Sequence, residues 1–459
     1  MPTYMVPYYM DGKTTAPPYP RELEIRYPKV SETNPIVTFN LLNVGSIDSG
    51  VDVKEIVFDT FAPDDLIIGE VAWVAEKHEK VIFRTFNRVQ DKDKHVLVDV
   101  VTGKTKVVRE RNGTDGWLDN NRAIQYVGTV GKGNSSYYLD LSDHSGWLHL
   151  YLFPVEGGTP KALTSGNWEV TRNVKLDVAR GLIYYLSTER HSTERHLYSV
   201  SLTNGSKKAL VDTRTAGCWS ASFSASGGYY ILSYNGPDIP YQKLYSINST
   251  TPLDTLNSND ELKTKLAAYK LPIIRYLTLT HPSGYTLNAR EILPANFDPR
   301  KKYPVLFDPY GGPGAQEVVK LYIPVGWTTY IGSDPELQYI KVTVDNRGTG
   351  NKGRAFRSLV SKQLGKLEAE DQVWAGSLWA KKPYVDADHI VMWGWSYGGY
   401  LTGKVIETDS GIFSLGLITS PVSDWRFYDS MYTERYMKVR PCVFCSMKMT
   451  CTDEARRWK

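Results

Sequence analysis

The run Gly394-Trp395-Ser396-Tyr397-Gly398-Gly399-Tyr400 encloses one serine hydroxyl between glycines. A serine alcohol is a weak nucleophile, so the interest of the spacing is first steric. Glycines two residues before and after the serine allow a turn so sharp that the hydroxyl stands clear of the chain. The same turn aims the next backbone N–H, that of Tyr397, at an oxygen on which negative charge would develop during acyl transfer. Such an elbow needs a strand before it and a helix after it. His389-Ile390-Val391-Met392-Trp393 reads as the strand, and a helical pattern resumes at Leu401.

A second oxyanion donor should come from a loop after an earlier strand, and Asp308-Pro309-Tyr310-Gly311-Gly312-Pro313-Gly314 sits in that place. Its glycines permit close approach of backbone to a ligand, and the Tyr310 phenol could donate a hydrogen bond. Alone, the run is equally an ordinary turn. Further on, Trp425, Phe427, Tyr428 and Tyr432 fall within eight residues. These rings would wall a pocket for a flat apolar side chain such as proline, although core packing accounts for them as well. To act, Ser396 needs a base, and in this type of fold the acid and the histidine follow the serine in chain order. All 8 histidines, from His78 to His389, precede it.

The elements that must hold these residues fall into two textures. From about residue 266, short apolar strands alternate with helix: Lys302 to Phe307, Tyr339 to Val344, a helical stretch from Leu367 to Lys381, then the strand at His389. That alternation predicts a parallel sheet covered on both faces. Before it the chain is strand-rich and repetitive. Leu150-Tyr151, Leu197-Tyr198 and Leu244-Tyr245 recur at 47-residue intervals, and Ala162-Leu163 returns as Ala209-Leu210 at the same interval. A period near 40 to 50 residues with about four strands per unit is that of β-propeller blades. The reading is therefore a multidomain β and α/β chain. A partial β-propeller of about five blades covers residues 1–265, a truncated α/β-hydrolase domain covers 266–437, and an aberrant tail covers 438–459.

Composition agrees with a globular chain: 41% apolar, 23% charged, and a net charge of +4 over 459 residues, which with no basic stripe gives no footprint for nucleic acid. No apolar run reaches the ~20 residues that span a bilayer, and Met1-Pro2-Thr3-Tyr4 does not open a signal peptide. Sequons at Asn112, Asn134, Asn204 and Asn248 point weakly to a secretory or vacuolar lumen and a glycoprotein. Cys442, Cys445 and Cys451 crowd the basic tail, one ligand short of a zinc site with no histidine nearby, so no metal is expected.

Four of these motifs together resemble the dipeptidyl peptidase IV branch of the prolyl oligopeptidase family, and look most similar to its fungal vacuolar members. They are the elbow Gly394 to Tyr400, the Asp308 to Pro313 loop, Asp345-Asn346-Arg347-Gly348-Thr349-Gly350, and Tyr432-Thr433-Glu434-Arg435-Tyr436-Met437. The resemblance runs from about Pro7 to Met437. It implies a serine-type hydrolase that releases N-terminal dipeptides from peptides with proline or alanine in second position. Ser396 would be the nucleophile, the Tyr310 hydroxyl and Tyr397 N–H the oxyanion hole, and Trp425, Tyr428, Tyr432 and Tyr397 the proline pocket. It implies no cofactor, a vacuolar or secretory location, membrane anchorage in full-length relatives, and is compatible with a homodimer. The tail after Met437 departs from the pattern, as a reading-frame or splicing artefact would. With the acid and histidine lacking, two alternatives follow: a peptidase represented by an incomplete chain, impaired and poorly soluble, or a non-catalytic peptide- or protein-binding protein.

Overall fold

The computed structural model describes residues 3–8, 18–45, 50, 52–131 and 133–438. The tail cysteines and the zinc question attached to them lie outside these residues.

Four four-stranded antiparallel sheets follow one another along the chain. Leu66–Trp73, Lys80–Asn87, Lys92–Asp99 and Thr105–Asn112 form the first; Gln125–Thr129, Ser136–Ser142, His149–Pro154 and Lys161–Ala162 the second. Val170–Asp177, Leu182–Ser187, His196–Ser201 and Lys207–Ala209 form the third; Cys218–Phe223, Tyr229–Gly236, Tyr241–Ser246 and Asp254–Asn257 the fourth. Each recurring Leu-Tyr pair occupies the third strand of its sheet, and Ala162 and Ala209 sit opposite Tyr151 and Tyr198 in the fourth.

Period-two alternation sends Leu150 and Tyr151 to opposite faces, yet both are buried, because each sheet packs on a neighbour at either face. Tyr138, Tyr151 and Phe153 meet Ile82 and Leu97 of the first sheet, while Leu139, Leu150 and Leu152 meet Ile183, Tyr185 and Val200 of the third. Leu186 and Leu197 then meet Tyr230 and Leu232 of the fourth. This face-to-face stacking of four-stranded meanders is how propeller blades are built. Ahead of them, the hairpin Phe39–Asn43 with Asp52–Ile56 packs on the first sheet, with Phe39 stacked on Phe83 at 4.3 Å. A second hairpin pairs Thr3–Tyr8 with Arg21–Arg26.

After the helix Asp260–Ala267 comes a single six-stranded sheet, in the order Ile273–Thr280, Thr286–Leu293, Ile340–Asp345, Tyr303–Phe307, Val385–Trp395, Leu415–Thr419. The first three strands pair antiparallel and the remaining neighbours parallel. Val305, Phe307, Val342, Ile390 and Met392 build its core against Trp379 of the helix Lys366–Ala380 and Leu401 and Val405 of the helix Tyr397–Ile406. Leu415, Leu417 and Ile418 of the edge strand are exposed. No helix among the described residues is long and apolar enough to cross a membrane.

The two regions are tied by charge. Arg354, on the short helix Arg354–Ser358, reaches Asp115 at 2.7 Å and Asp143 at 2.9 Å; Arg357 reaches Asp119 and Asp143, each at 3.0 Å. Lys320 pairs with the buried Glu194 at 2.8 Å.

Candidate active site

Ser396 stands between the strand Val385–Trp395 and the helix Tyr397–Ile406, with φ 57° and ψ −116°. An L residue holds such a backbone only when its surroundings impose it, at a cost of about 1–3 kcal/mol. The surroundings are the neighbouring backbones. A Cβ on Gly394 would lie 2.0 Å from the Gly398 carbonyl oxygen, and one on Gly398 would lie 2.4 Å from the Pro309 carbonyl oxygen. The Ser396 N–H donates to the Thr419 carbonyl at 3.1 Å, fastening the elbow to the edge strand. Tyr397 opens the helix, so its N–H has no intrahelical acceptor.

The Pro309–Tyr310 segment lies directly against this elbow, and the Tyr310 and Tyr397 rings are 5.9 Å apart. Burial, with Tyr428 and Glu317 close by, raises the Tyr310 phenol above its ordinary pKa, which keeps it a proton donor at neutral pH. Its loop is held from beneath by residues whose role the sequence did not announce. Glu317 accepts from the Tyr310 N–H at 3.0 Å. Asp345 in turn accepts from the N–H groups of Glu317 at 2.9 Å and Val318 at 3.0 Å; burial pushes its carboxyl up to about 6. Asn346 donates to the Gly311 carbonyl at 3.0 Å and accepts from Gln372 at 3.0 Å. Gly311, at φ 73°, has no room for a side chain: a Cβ would meet Leu401 at 2.4 Å.

The aromatic residues come together next to the elbow. Trp425 and Tyr432 stack at 5.5 Å, and Tyr428 stands edge-on to both at 5.8 and 5.5 Å. Tyr397 touches Trp425 at 5.7 Å. Their exposures differ: Trp425 and Tyr397 are buried, Tyr432 and Tyr310 half-buried, and Tyr428 is 42% exposed. The accessible surface here is therefore Tyr428, Tyr432 and Tyr310, with Trp425 and Tyr397 as backing.

Tyr432 belongs to the helix Ser430–Met437, whose first turn is capped by Asp429 accepting from the Tyr432 N–H at 2.8 Å. The β-rich region grips this helix. Fully buried Glu434 accepts from both Nε and Nη2 of Arg88 and, at 2.8 Å, from the Ser31 N–H. Gln90 donates to the Met431 carbonyl and accepts from Arg435 Nε, each at 2.7 Å. Trp117 meets Tyr436 edge-on at 4.8 Å.

All 8 histidines lie among the described residues and none hydrogen-bonds to Ser396. His281 packs on Trp374, His389 pairs with Asp386 at 2.7 Å on the surface, and the remainder belong to the β-rich region. Asp409, Asp424 and Asp429 follow Ser396; Asp424 and Asp429 serve as caps. No group of metal-binding residues occurs among the described residues. The arrangement brings the Ser396 elbow, the Tyr397 N–H, the Tyr310 phenol and a cluster of aromatic rings together.

Two family models match the chain: the dipeptidyl peptidase IV (DPP IV) N-terminal region over residues 1–241 and the prolyl oligopeptidase family over residues 327–441. A probable dipeptidyl peptidase 4 from Aspergillus clavatus is 60% identical over 438 residues, covering 95% of this chain and 56% of the relative. A dipeptidyl peptidase 4 from Trichophyton tonsurans is 55% identical over 439 residues, with 95% and 56% covered. The crystal structure of Porphyromonas gingivalis dipeptidyl peptidase 4 superposes with a TM-score of 0.85 at 32% identity, over 97% of this chain and 60% of that one. The chain thus spans just over half the length of the relatives it matches.

Proposed function

From the chain's membership of the dipeptidyl peptidase IV family, we propose that it carries the nucleophile, oxyanion hole and specificity pocket of a serine dipeptidyl aminopeptidase acting on peptides with proline or alanine second. Ser396 Oγ attacks the carbonyl carbon of that second residue, and the displaced carbonyl electrons collect on an oxygen held by the Tyr397 N–H and the Tyr310 hydroxyl. The pyrrolidine ring lies against Tyr428 and Tyr432, where burial of its methylenes is worth roughly 0.8 kcal/mol each. The observation that carries this reading is the strained Ser396 elbow with Tyr310 and the aromatic wall around it.

No histidine among the described residues bonds to Ser396, and without such a base its proton would pass to solvent. Loss of the base in a serine hydrolase costs on the order of 10⁴- to 10⁶-fold in turnover. We therefore propose that the chain by itself binds peptides and reacts slowly; the same observation favours a second reading, a peptide-binding protein without turnover. Exposed Asn112, Asn134, Asn204 and Asn248, all outside helices, support a secretory or vacuolar setting.

The test offers the expressed chain a Gly-Pro chromogenic substrate and a fluorophosphonate probe. Slow labelling at Ser396 without measurable turnover is expected. Rapid turnover lost in Ser396→Ala would refute the impairment, and absence of labelling at Ser396 would refute the nucleophile.

A further inference from the structure

Resting on the nucleophile role proposed for Ser396, we infer that Glu368 is a positioning residue for the oxyanion hole, holding Tyr397 by its phenol so that the Tyr397 N–H keeps its aim. The Tyr397 hydroxyl donates to Glu368 Oε1 at 2.7 Å, and both side chains are fully buried. Glu368 is the third residue of the helix Lys366–Ala380, where any acid would favour the helix dipole from the surface. Burying it instead costs several kcal/mol of lost hydration. The Tyr397 phenol supplies its side-chain hydrogen bond, with the backbone of Gly365 and of Glu368 itself close to the carboxyl.

What that bond controls is set by where Tyr397 lies. Its ring fills the space between Tyr310 at 5.9 Å and Trp425 at 5.7 Å, so a swing of the ring disturbs both the second oxyanion donor and the back of the pocket. Its backbone is the first residue of the nucleophile helix, one peptide bond from Ser396. A carboxylate anchored in a different helix thereby fixes the ring from its far end. One turn along, Tyr400 offers an internal comparison. Its hydroxyl is likewise buried and donates to the Leu364 carbonyl at 2.8 Å, but its own N–H is tied to the Ser396 carbonyl at 3.1 Å and serves no oxyanion.

The experiment measures the rate at which a fluorophosphonate labels Ser396, followed by intact mass. The Ser396 oxygen bonds to phosphorus, the P–F bond breaks, fluoride leaves and the hydroxyl proton goes to solvent, while the phosphoryl oxygen occupies the oxyanion hole. Losing one such donor outright costs roughly 10²- to 10³-fold in related enzymes. A displaced donor should cost part of that. Tyr397→Phe and Glu368→Ala should slow labelling about 10-fold or more; Glu368→Gln, which still accepts from the phenol, should stay within about 3-fold of the unmodified chain. Tyr400→Phe, which removes a buried hydrogen bond of the same kind, should label at the unmodified rate. Should Glu368→Ala fail to fold, Tyr397→Phe, a single-oxygen deletion, decides the matter alone. Labelling of Tyr397→Phe at the unmodified rate, or equal slowing by Tyr400→Phe, overturns the positioning role and leaves Ser396 as nucleophile. An unmodified chain that never labels at Ser396 overturns both.

Discussion

Replacing Arg88 by methionine removes the cation that holds the helix Ser430–Met437 to the β-rich region while keeping much of its apolar stem. Arg88 meets Glu434 through two nitrogens, one at 2.8 Å, and Glu434 is fully buried with the Ser31 N–H as its other partner. Breaking a buried pair by deleting one member typically costs about 3–5 kcal/mol, because the remaining charge keeps its desolvation penalty. Arg88 is itself 17% exposed at its side chain, so the lower end applies, about 3 kcal/mol. That converts to roughly 100-fold in a local opening equilibrium. The suitable assay is hydrogen exchange of the amides of Ser430–Met437, since global unfolding of a chain with two regions is not two-state. Exchange in Arg88→Met should accelerate about 100-fold there, and Arg88→Met/Glu434→Gln, which removes the stranded charge, should recover most of the protection. Acceleration below about 5-fold, or a double variant no better than the single, would show that this ion pair does not hold the helix.

Two further outcomes are expected. Gly398→Ala should abolish labelling of Ser396, because its Cβ would lie 2.4 Å from the Pro309 carbonyl oxygen and push the Tyr310 loop off the elbow; mass analysis of probe-treated protein checks this. Burial raises Glu368 from 4.5 to about 7, so the folded state binds its proton more tightly than the unfolded one. The associated stability is present below pH 4.5 and lost as pH rises through 7. Glu368→Gln should therefore gain on the unmodified chain over that window, by up to roughly 3 kcal/mol, as followed by denaturant midpoints from pH 4.5 to 8.

Much of the architecture is legible locally. The 47-residue recurrence marks third strands because the second, third and fourth sheets repeat one pattern, Leu to one face and Tyr to the other. The strand expected at His389 to Trp393 extends from Val385 to Trp395; its first half carries Asp386, Asp388 and His389 and lacks the apolar signal. The antiparallel pair Ile273–Thr280 with Thr286–Leu293 and the edge strand Leu415–Thr419 went unforeseen: exposed residues blur the period of the first and last, and Asn288, Arg290 and Glu291 interrupt the apolar signal of the buried Thr286–Leu293.

Sequence alone marked the elbow, because part of the demand there is steric and local: a Cβ at Gly394 would meet the Gly398 carbonyl four residues on, whereas the bar at Gly398 comes from the Pro309 carbonyl and belongs to the fold. It also placed Tyr310 and the aromatic run as candidates, without deciding between pocket and core. Tertiary structure alone decided that Trp425 and Tyr397 are buried while Tyr428 and Tyr432 keep surface, that Asp345 and Asn346 brace the Tyr310 loop, and that Glu368 bonds to Tyr397 and Arg88 to Glu434. Arg88 and Glu434 are 346 residues apart in the chain. Their pairing has no local signature, because a buried charge finds its counterion through packing, and packing is a property of the folded whole.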